Sequence, residues 1–454
     1  MNTINSTRFS DTHALVVGLG LTGMSAVRYL RARGASVSVV DTRATPPAID
    51  RLTSMYPEVS CITGSNKLSV GSADMLVVSP GLSRNHPSIA DAEANGVKIT
   101  GDVQLYGEEA SWPNFLVTGS NGKTTATTLL GDIMRAAGKN VFVGGNIGTP
   151  VLDALLDGET YSCAVLELSS FQLELIDGLP ATAAVVLNVT PDHMDRYATF
   201  ADYQDAKSQV YAGAERCVYW RDDPCLDGYL NPVSDDISFG LNFPKGERDY
   251  GLLGSESQFV CRGKTRLLAV SEIAIRGQHN ILNLMACWAM AHQAGVDDGV
   301  IANVARMFSG LRHRMQVVGE WAGVTWINDS KATNVAATAA ALDGLSSPTV
   351  LLAGGQGKGG DFERLNYVLS LSSVKLVILF GADSELIAQH IVAVDTVVLA
   401  SLEEAVVLAE TSVNIGDTVM LSPACASLDM FSSYEDRGNQ YIRAVEHINA
   451  GAPK

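Results

Sequence analysis

Short apolar runs recur along the chain, each ended by a glycine-rich or polar turn and followed by a repeat at helical spacing. The first unit is a strand at Ala14–Val17, the turn Gly18-Leu-Gly20-Leu-Thr-Gly23, and a helix to about Arg33 stopped by Gly34. A strand at Ser36–Val40 then ends on Asp41. Met75–Val78 predicts another strand, His86–Asn95 a helix with Pro87 near its start, and Val97–Thr100 a further strand. Phe115–Val117 is a strand that runs through Thr118-Gly-Ser-Asn-Gly-Lys-Thr-Thr125 into a helix with Ala126, Leu130, Ile133 and Ala137 on one face. Cys163–Glu167 and Ala183–Val189 read as buried strands, residues 213–275 as short strands with weak signals, and Ile281–Ala294 as a strong helix. The pattern resets near residue 311, with strands at Val324–Asn328, Thr349–Leu352, Val374–Gly381, Asp395–Leu399 and Asp417–Leu421, and a long helix at the end. This alternation predicts an α/β protein, and 454 residues suggest about three domains.

The turns carry the candidate chemistry. Gly18-x-Gly20-x-x-Gly23 with Asp41 downstream matches a dinucleotide fingerprint. It marks a phosphate or nucleotide cradle without naming the nucleotide. Thr42 and Arg43 are placed to contact base, ribose or phosphate, and Ser79 is either a plain turn residue or a ligand contact. In the second turn, backbone N–H groups and the positive end of a helix converge where a phosphate chain can sit. Lys123 would reach the terminal phosphates and the Thr124 hydroxyl would bind Mg²⁺. The spacing departs from GxxxxGK[ST], because only Ser120 and Asn121 separate Gly119 from Gly122.

Other polar residues sit where such folds place function. Asn146, in Gly144-Gly-Asn-Ile-Gly148, either binds a ligand or caps the turn. Glu167 ends a buried strand beside the phosphate loop, the usual place for a Mg²⁺ ligand. Asp192, His193 and Asp195 follow a strand end and suit a hard cation with one imidazole. Lys207, on a helix, reads as an ordinary solvated lysine. Asn280 opens a helix, either as a nucleotide contact or as its N-cap. Three later strand ends carry Asp329 with Lys331, Lys358, and Ser427, a set suited to gripping ATP phosphates and an anionic substrate.

Composition narrows the classes. Hydrophobic residues at 46% allow large cores, and a net charge of −17 argues against nucleic acid or an anionic membrane as partner. Seven cysteines, an odd number with no CxxC, fit a reduced cytoplasmic protein. The N-terminal segment lacks the apolar core of a signal peptide, and no apolar run reaches the 18 residues of a membrane span. An NAD-dependent dehydrogenase would explain Gly18–Asp41 and leave the second loop idle, and a GTPase switch would need an NKxD-like motif that is missing.

Taken together, TGSNGKTT, GGNIG, LELSSFQLE, LNVTPDHMDRY, GQHNILN, GLRHR, NDSKATN, GGQGKG and LSPACASLDMF, in that order over essentially the whole chain, resemble the Mur ligase family. The resemblance implies a Rossmann-like N-terminal domain (1–102) for the UDP end of the substrate, a central P-loop-type mononucleotide-binding ATPase domain (103–310), and a C-terminal Rossmann-like domain (311–454) for the amino acid. It implies a cytoplasmic step of peptidoglycan precursor synthesis in which ATP drives amide formation between UDP-N-acetylmuramoyl-L-alanine and D-glutamate. The DNPR-type motif of diamino-acid ligases is absent. Leu21, Thr22, Asp41, Thr42, Arg43 and Ser79 become uridine and diphosphate contacts, with Asn146 and His193 nearer the muramoyl part. Gly119, Asn121, Gly122, Lys123, Thr124, Thr125, Asn280, Arg314, Asp329 and Lys331 become the ATP site. Thr124, Glu167, His193 and a carbamylated Lys207 would hold two Mg²⁺ ions, and Lys123, His193 and Lys207 would be catalytic. Lys331, Thr333, Lys358, Ser427, Leu428 and Tyr434 would surround D-glutamate. A monomer is expected, with closure about linkers near 101–113 and 309–312. Three features depart from the family pattern: Arg312 in place of a proline, Gln356 in place of an acid, and a His193–Lys207 loop about one residue short.

Overall fold

The apolar runs assemble into three sheets, each placing its glycine turns at the C-terminal ends of parallel strands. The structure, a computed structural model, describes residues 7–65, 70, 73–84, 86–194, 196–226, 236–254, 258–275, 277–343, 345–357 and 359–450. Asp195 and Lys358, both singled out above, lie outside the described residues.

The first sheet holds β1 (His13–Val17), β2 (Ser36–Asp41), β3 (Ser60–Thr63), β4 (Met75–Val78) and β5 (Lys98–Thr100). All are parallel, in the order β3-β2-β1-β4-β5. β2 and β3 lie on one side of β1, and the chain crosses from β3 to β4 on the other; at such a reversal a crevice opens outside the strand ends. Gly18 follows β1 at φ +96°, and a Cβ on Gly23 would lie 1.9 Å from the Gly18 carbonyl oxygen. Strand and helix Leu21–Ala32 therefore approach to a distance only glycine permits.

The second sheet holds β6 (Asn114–Thr118), β7 (Val141–Gly145), β8 (Cys163–Glu167), β9 (Ala183–Val186), β10 (Cys217–Trp220), β11 (Ile237–Phe239), β12 (Tyr250–Leu253), β13 (Phe259–Arg262) and β14 (Thr265–Ala269). Its order is β14-β13-β12-β11-β10-β9-β6-β8-β7, parallel from β7 to β12 with an antiparallel β12-β13-β14 edge. Two expectations change. β9 stops at Val186, because Leu187 and Asn188 leave the ladder to bond the phosphate loop. Gly144 and Gly145 close strand β7 instead of forming a turn, and a Cβ on Gly145 would sit 2.3 Å from the Glu167 carbonyl oxygen.

The third sheet holds β15 (Gln316–Trp321), β16 (Val324–Asn328), β17 (Thr349–Gly354), β18 (Val374–Phe380), β19 (Thr396–Val398) and β20 (Thr418–Leu421). The order is β15-β16-β20-β17-β18-β19, parallel except for the β15–β16 hairpin. The apolar pattern missed β15, whose side chains alternate only weakly because it is an edge strand.

By internal packing the chain forms two compact units: Met1–Ala269 with Leu282–Val304, and Val270–Ile281 with Ala305–Lys454. The first contains two of the sheets and the second contains one. All seven cysteines are free thiols. Among the described residues, no helix is long and apolar enough to cross a membrane.

Candidate active site

In the first unit the phosphate loop is built by backbone geometry and locked from three sides. Gly119 (φ +153°) and Gly122 (φ +81°) take conformations that L side chains avoid. A Cβ on Gly122 would meet the Asn283 amide at 2.8 Å, so glycine is needed there on two counts. Asn188, just past β9, accepts the Asn121 N–H at 2.9 Å and donates to the Asn121 carbonyl at 3.1 Å. Ser120 exchanges hydrogen bonds with Thr190 and lies 3.0 Å from the Tyr203 hydroxyl. Helix Lys123–Ala136 starts with no side-chain cap, which leaves first-turn N–H groups directed at the loop. Thr124 sits partly exposed in that first turn, and Thr125 behind it is buried. Asn188, Asn283 and Tyr203 were not among the expected site residues. Asn188 and Asn283 lie within the LNVTPDHMDRY and GQHNILN stretches, but all three are distant in sequence from the loop they hold, so their part in it was not read.

The Lys123 ammonium donates to the carbonyls of Gly119 (2.8 Å) and Ser120 (2.9 Å). Lys207 converges on the same loop, donating to the Gly119 carbonyl at 2.9 Å. This corrects the solvated reading of Lys207: its side chain is 1% exposed and packs 4.6 Å from the Tyr203 ring centroid. Burial, and then the neighbouring Lys123 charge, drive its pKa well below the usual lysine value, against the pull of Asp192 and Glu167.

Glu167, 2% exposed at the end of β8, accepts from the Asn146 side chain at 2.9 Å through Oε1. The Asn146 N–H in turn bonds the Glu167 carbonyl at 2.8 Å, so Asn146 orients the carboxylate as well as holding its turn. Oε2 of Glu167 is buried with no hydrogen-bond partner among the described residues. An ionised oxygen in that position is costly unless a cation or donor meets it. A carboxylate oxygen of this kind is a hard ligand that suits Mg²⁺. His193 is held at φ +57°, with its ring centroid 4.8 Å from that of Phe171 and its Nε2 3.7 Å from Asp192. Among the described residues, no three His, Cys, Asp or Glu side chains cluster as a ready-made metal site. Arg196 was also missed. It stacks 3.9 Å over Phe171, pairs with Glu174 at 2.7 Å and donates to the carbonyls of Pro80 and Leu82, tying the His193 turn to the loop after β4.

Around the first sheet, Asp41 does not present a free acid. Its carboxylate accepts from the Arg43 side chain (2.6 and 2.9 Å), the Arg43 N–H (2.8 Å) and the Leu19 N–H (2.6 Å). The Arg43 bond is the main cause that holds its pKa down at about 2. This acid braces the glycine turn and Arg43, and the ribose-gripping role of a dinucleotide site is already taken by its own chain. Ser79 donates to the Gly18 carbonyl at 3.2 Å, and Leu21 is exposed beside the turn. Thr42 follows β2, partly exposed.

The second unit gathers its own set. Asn280 lies in the first turn of helix Gln278–Gln293. Asp329 follows β16, buried, accepting from the Met315 N–H (3.1 Å) and the Ser422 hydroxyl (2.9 Å). Burial raises its pKa to about 7, and through these bonds its carboxyl fastens the segment beside Arg314. The Lys331 ammonium lies 3.9 Å from the Tyr434 ring centroid, and the Thr333 N–H bonds the Lys331 carbonyl. Ser427 is buried and Leu428 exposed in the loop after β20.

The fold and site define the class: an α/β protein of three sheets with a mononucleotide-phosphate loop backed by a buried carboxylate. Comparison with known proteins names the family. A Mur ligase MurD-like N-terminal domain matches residues 12–101, a Mur ligase middle domain 117–291, and a Mur ligase glutamate ligase domain 313–425. The chain is 46% identical over 447 residues to a UDP-N-acetylmuramoylalanine–D-glutamate ligase of Pseudomonas aeruginosa, covering 97% of this chain and 99% of that one. It is 44% identical to the protein of the same description from Marinobacter nauticus, with the same coverage. The solved UDP-N-acetylmuramate-alanine ligase of Thermotoga maritima superposes with a TM-score of 0.60 at 18% identity, covering 96% of this chain and all of that one. MurF of Acinetobacter baumannii gives 0.61 at 16% identity, covering 91% of each. The chain belongs to the Mur ligase family and has its three-domain fold.

Proposed function

We propose that this chain joins D-glutamate to UDP-N-acetylmuramoyl-L-alanine at the expense of ATP, a cytoplasmic step in making peptidoglycan precursors. The observation that carries this reading is the full-length match, at up to 46% identity, to relatives described by that reaction. The site supports it. The substrate carboxylate oxygen attacks the γ-phosphorus of ATP, forming an acyl phosphate and releasing ADP. The amine of D-glutamate then attacks the acyl carbon, an amide bond forms and phosphate leaves. Lys123 and the N–H groups around Gly119–Thr125 bind and orient the phosphates, which is most of what such a transfer demands. Mg²⁺ supplies charge neutralisation when bound, and the residues that would hold two ions are Thr124, Glu167, His193 and a carbamylated Lys207.

Carbamylation of Lys207 is part of this proposal. Its buried amine is biased toward the neutral form, the form that adds CO₂, making an N–C bond and losing a proton. The product sets an anion beside the Lys123 cation, where a second cation would be crowded. ¹³C-bicarbonate should give a carbamate carbonyl resonance in the wild type that is absent from Lys207→Arg.

The ATP residues Asn280, Arg314, Asp329 and Lys331, and the D-glutamate residues Lys331, Thr333, Lys358, Ser427, Leu428 and Tyr434, complete the proposal, with the domains bounded at 1–102, 103–310 and 311–454 and the chain acting as a monomer. Its free thiols suit a reducing compartment. The test is phosphate release from ATP with the nucleotide-sugar and a panel of amino acids in parallel. Release that requires both UDP-N-acetylmuramoyl-L-alanine and D-glutamate is expected. Release with another amino acid overturns the acceptor assignment, and no release with any overturns the ligase reading.

A further inference from the structure

The helix Tyr434–Ile448 drives a guanidinium into the second unit at Arg437, which is 0% exposed. Its Nε donates to the Ser330 hydroxyl at 3.0 Å and its Nη2 to the Ser330 carbonyl at 2.8 Å. Nη1 and Nη2 each donate to the Cys425 carbonyl at 3.1 Å. Nη1 also faces the carbonyls of Ala426 (3.4 Å) and Gly354 (3.5 Å). No carboxylate among the described residues pairs with it. A buried cation held only by neutral oxygens is expensive to keep, and a structural bolt could be made from apolar side chains at lower cost. What an arginine offers instead is a rigid fork of five donors that can fix several backbone segments at once.

The segments it fixes are the ends of three neighbouring strands of the third sheet. Ser330 lies beside Lys331 after β16, Gly354 ends β17, and Cys425 and Ala426 precede Ser427 after β20. Gly355 makes room for the arrangement: at φ +124°, a Cβ there would lie 2.2 Å from the Ala426 carbonyl oxygen and 3.3 Å from Arg437 Nη1. The same helix turn holds the first segment a second way. A Cβ on Gly438 would lie 2.2 Å from His313 Nδ1, and the His313 carbonyl accepts the Lys331 N–H at 3.0 Å.

We propose that Arg437 is the positioning residue for the acceptor amino acid, its fork setting the spacing of the three strand-end loops that would receive that substrate. It does not touch the reacting atoms. Its effect therefore falls on the affinity for the amino acid, and the nucleotide-sugar is unaffected. The inference rests on the ligase reading, and wild-type turnover with each amino acid is measured first. If the wild type prefers a different acceptor, the Arg437 effect is read on that acceptor's KM, so the two claims fail separately.

Arg437→Met and Arg437→Lys are compared with the wild type in KM for D-glutamate, KM for UDP-N-acetylmuramoyl-L-alanine, and kcat. Both variants should raise KM for the amino acid about tenfold or more, since small misplacements of positioning groups have large effects. KM for the nucleotide-sugar should stay within about twofold of wild type on the same reasoning. Lysine keeps the charge and loses the fork, so rescue by Arg437→Lys would overturn the positioning claim. So would a fall in kcat with every KM unchanged, the mark of a merely structural loss of active protein. Ser330→Ala, which removes the Nε acceptor and the hydroxyl's own bond to the Tyr434 carbonyl while keeping the guanidinium, covers the case in which the Arg437 variants do not fold. It should raise the same KM by a smaller factor, and an unchanged KM there would overturn the inference.

Discussion

Lys207 and Asp329 show what a sequence hides at the scale of one residue. In its local pattern Lys207 looks like an ordinary solvated side chain and Asp329 like a strand-end ligand, and each is buried by elements far away in the chain. Lys207 is covered because its helix turns it onto the phosphate-loop carbonyl of Gly119, a partner 88 positions earlier. Nothing within helical range of Lys207 foretells that. By contrast the places of Lys123, Thr124 and Glu167, in a first helical turn and at a strand end, were legible, because a phosphate loop and a strand-end acid are local patterns. Asp329 gives a prediction with a definite sign. Its pKa is raised on folding from 3.8 to about 7, chiefly by burial, so the folded state favours the protonated carboxyl. That stabilisation is fully present below the unfolded value and is lost as pH rises through the folded one. Asp329→Asn, which cannot ionise, should therefore gain thermal stability relative to wild type as pH rises from 3.8 to about 7. Melting temperatures of both proteins across that range check it, and a constant gap would be the contrary result.

Among elements, the strand–glycine–helix units were read almost to the residue. β4 and β8 match their apolar runs, and the helix after the phosphate loop starts at Lys123, three residues before Ala126, the first helical position expected. The reason is physical: buried parallel strands are continuous apolar runs, and their ends are punctuated by glycines with positive φ. The edge elements were not legible. β14 and β15 each have one strand partner at a sheet edge, and β12 and β13 are only four residues long, so their patterns are weak. The glycine units make a contrast that can be measured. Gly23→Ala places a Cβ 1.9 Å from the Gly18 carbonyl oxygen, whereas a Cβ on Gly20 meets nothing within 4 Å. Gly23→Ala should destabilise the protein by about 1–3 kcal/mol, the usual cost of overpacking. It should also raise KM for the nucleotide-sugar while leaving KM for ATP in place, with Gly20→Ala close to wild type in both.

Across the whole molecule, the order of three α/β regions was legible, and the interactions that join the first two sheets were not. Those interactions are ion pairs between residues far apart in sequence. Arg33, 2% exposed, pairs with Glu109, which also accepts from Tyr29 and Arg8. Arg28 pairs with Asp153. Glu109→Ala would leave the buried Arg33 guanidinium without its carboxylate, a loss of about 3 kcal/mol. Adding Arg33→Met should recover part of that loss, which denaturant melts of the two variants would show. A different consequence follows from the way the first unit is assembled from two stretches of chain. The stretch Leu282–Val304 completes it, and Leu284, Met285, Ala286, Trp288, Ala289, Met290 and Ala291 there have no exposed surface. Cys287 bonds the Ala126 carbonyl, and Asn283 fills the space beside Gly122. During synthesis, then, the phosphate loop leaves the ribosome on the order of ten seconds before the helix that backs it. Until that helix arrives, the nascent protein carries an open apolar seam and is a natural client for chaperones. A truncation ending at Ala269 should emerge as aggregate, even though it contains every residue of the loop itself.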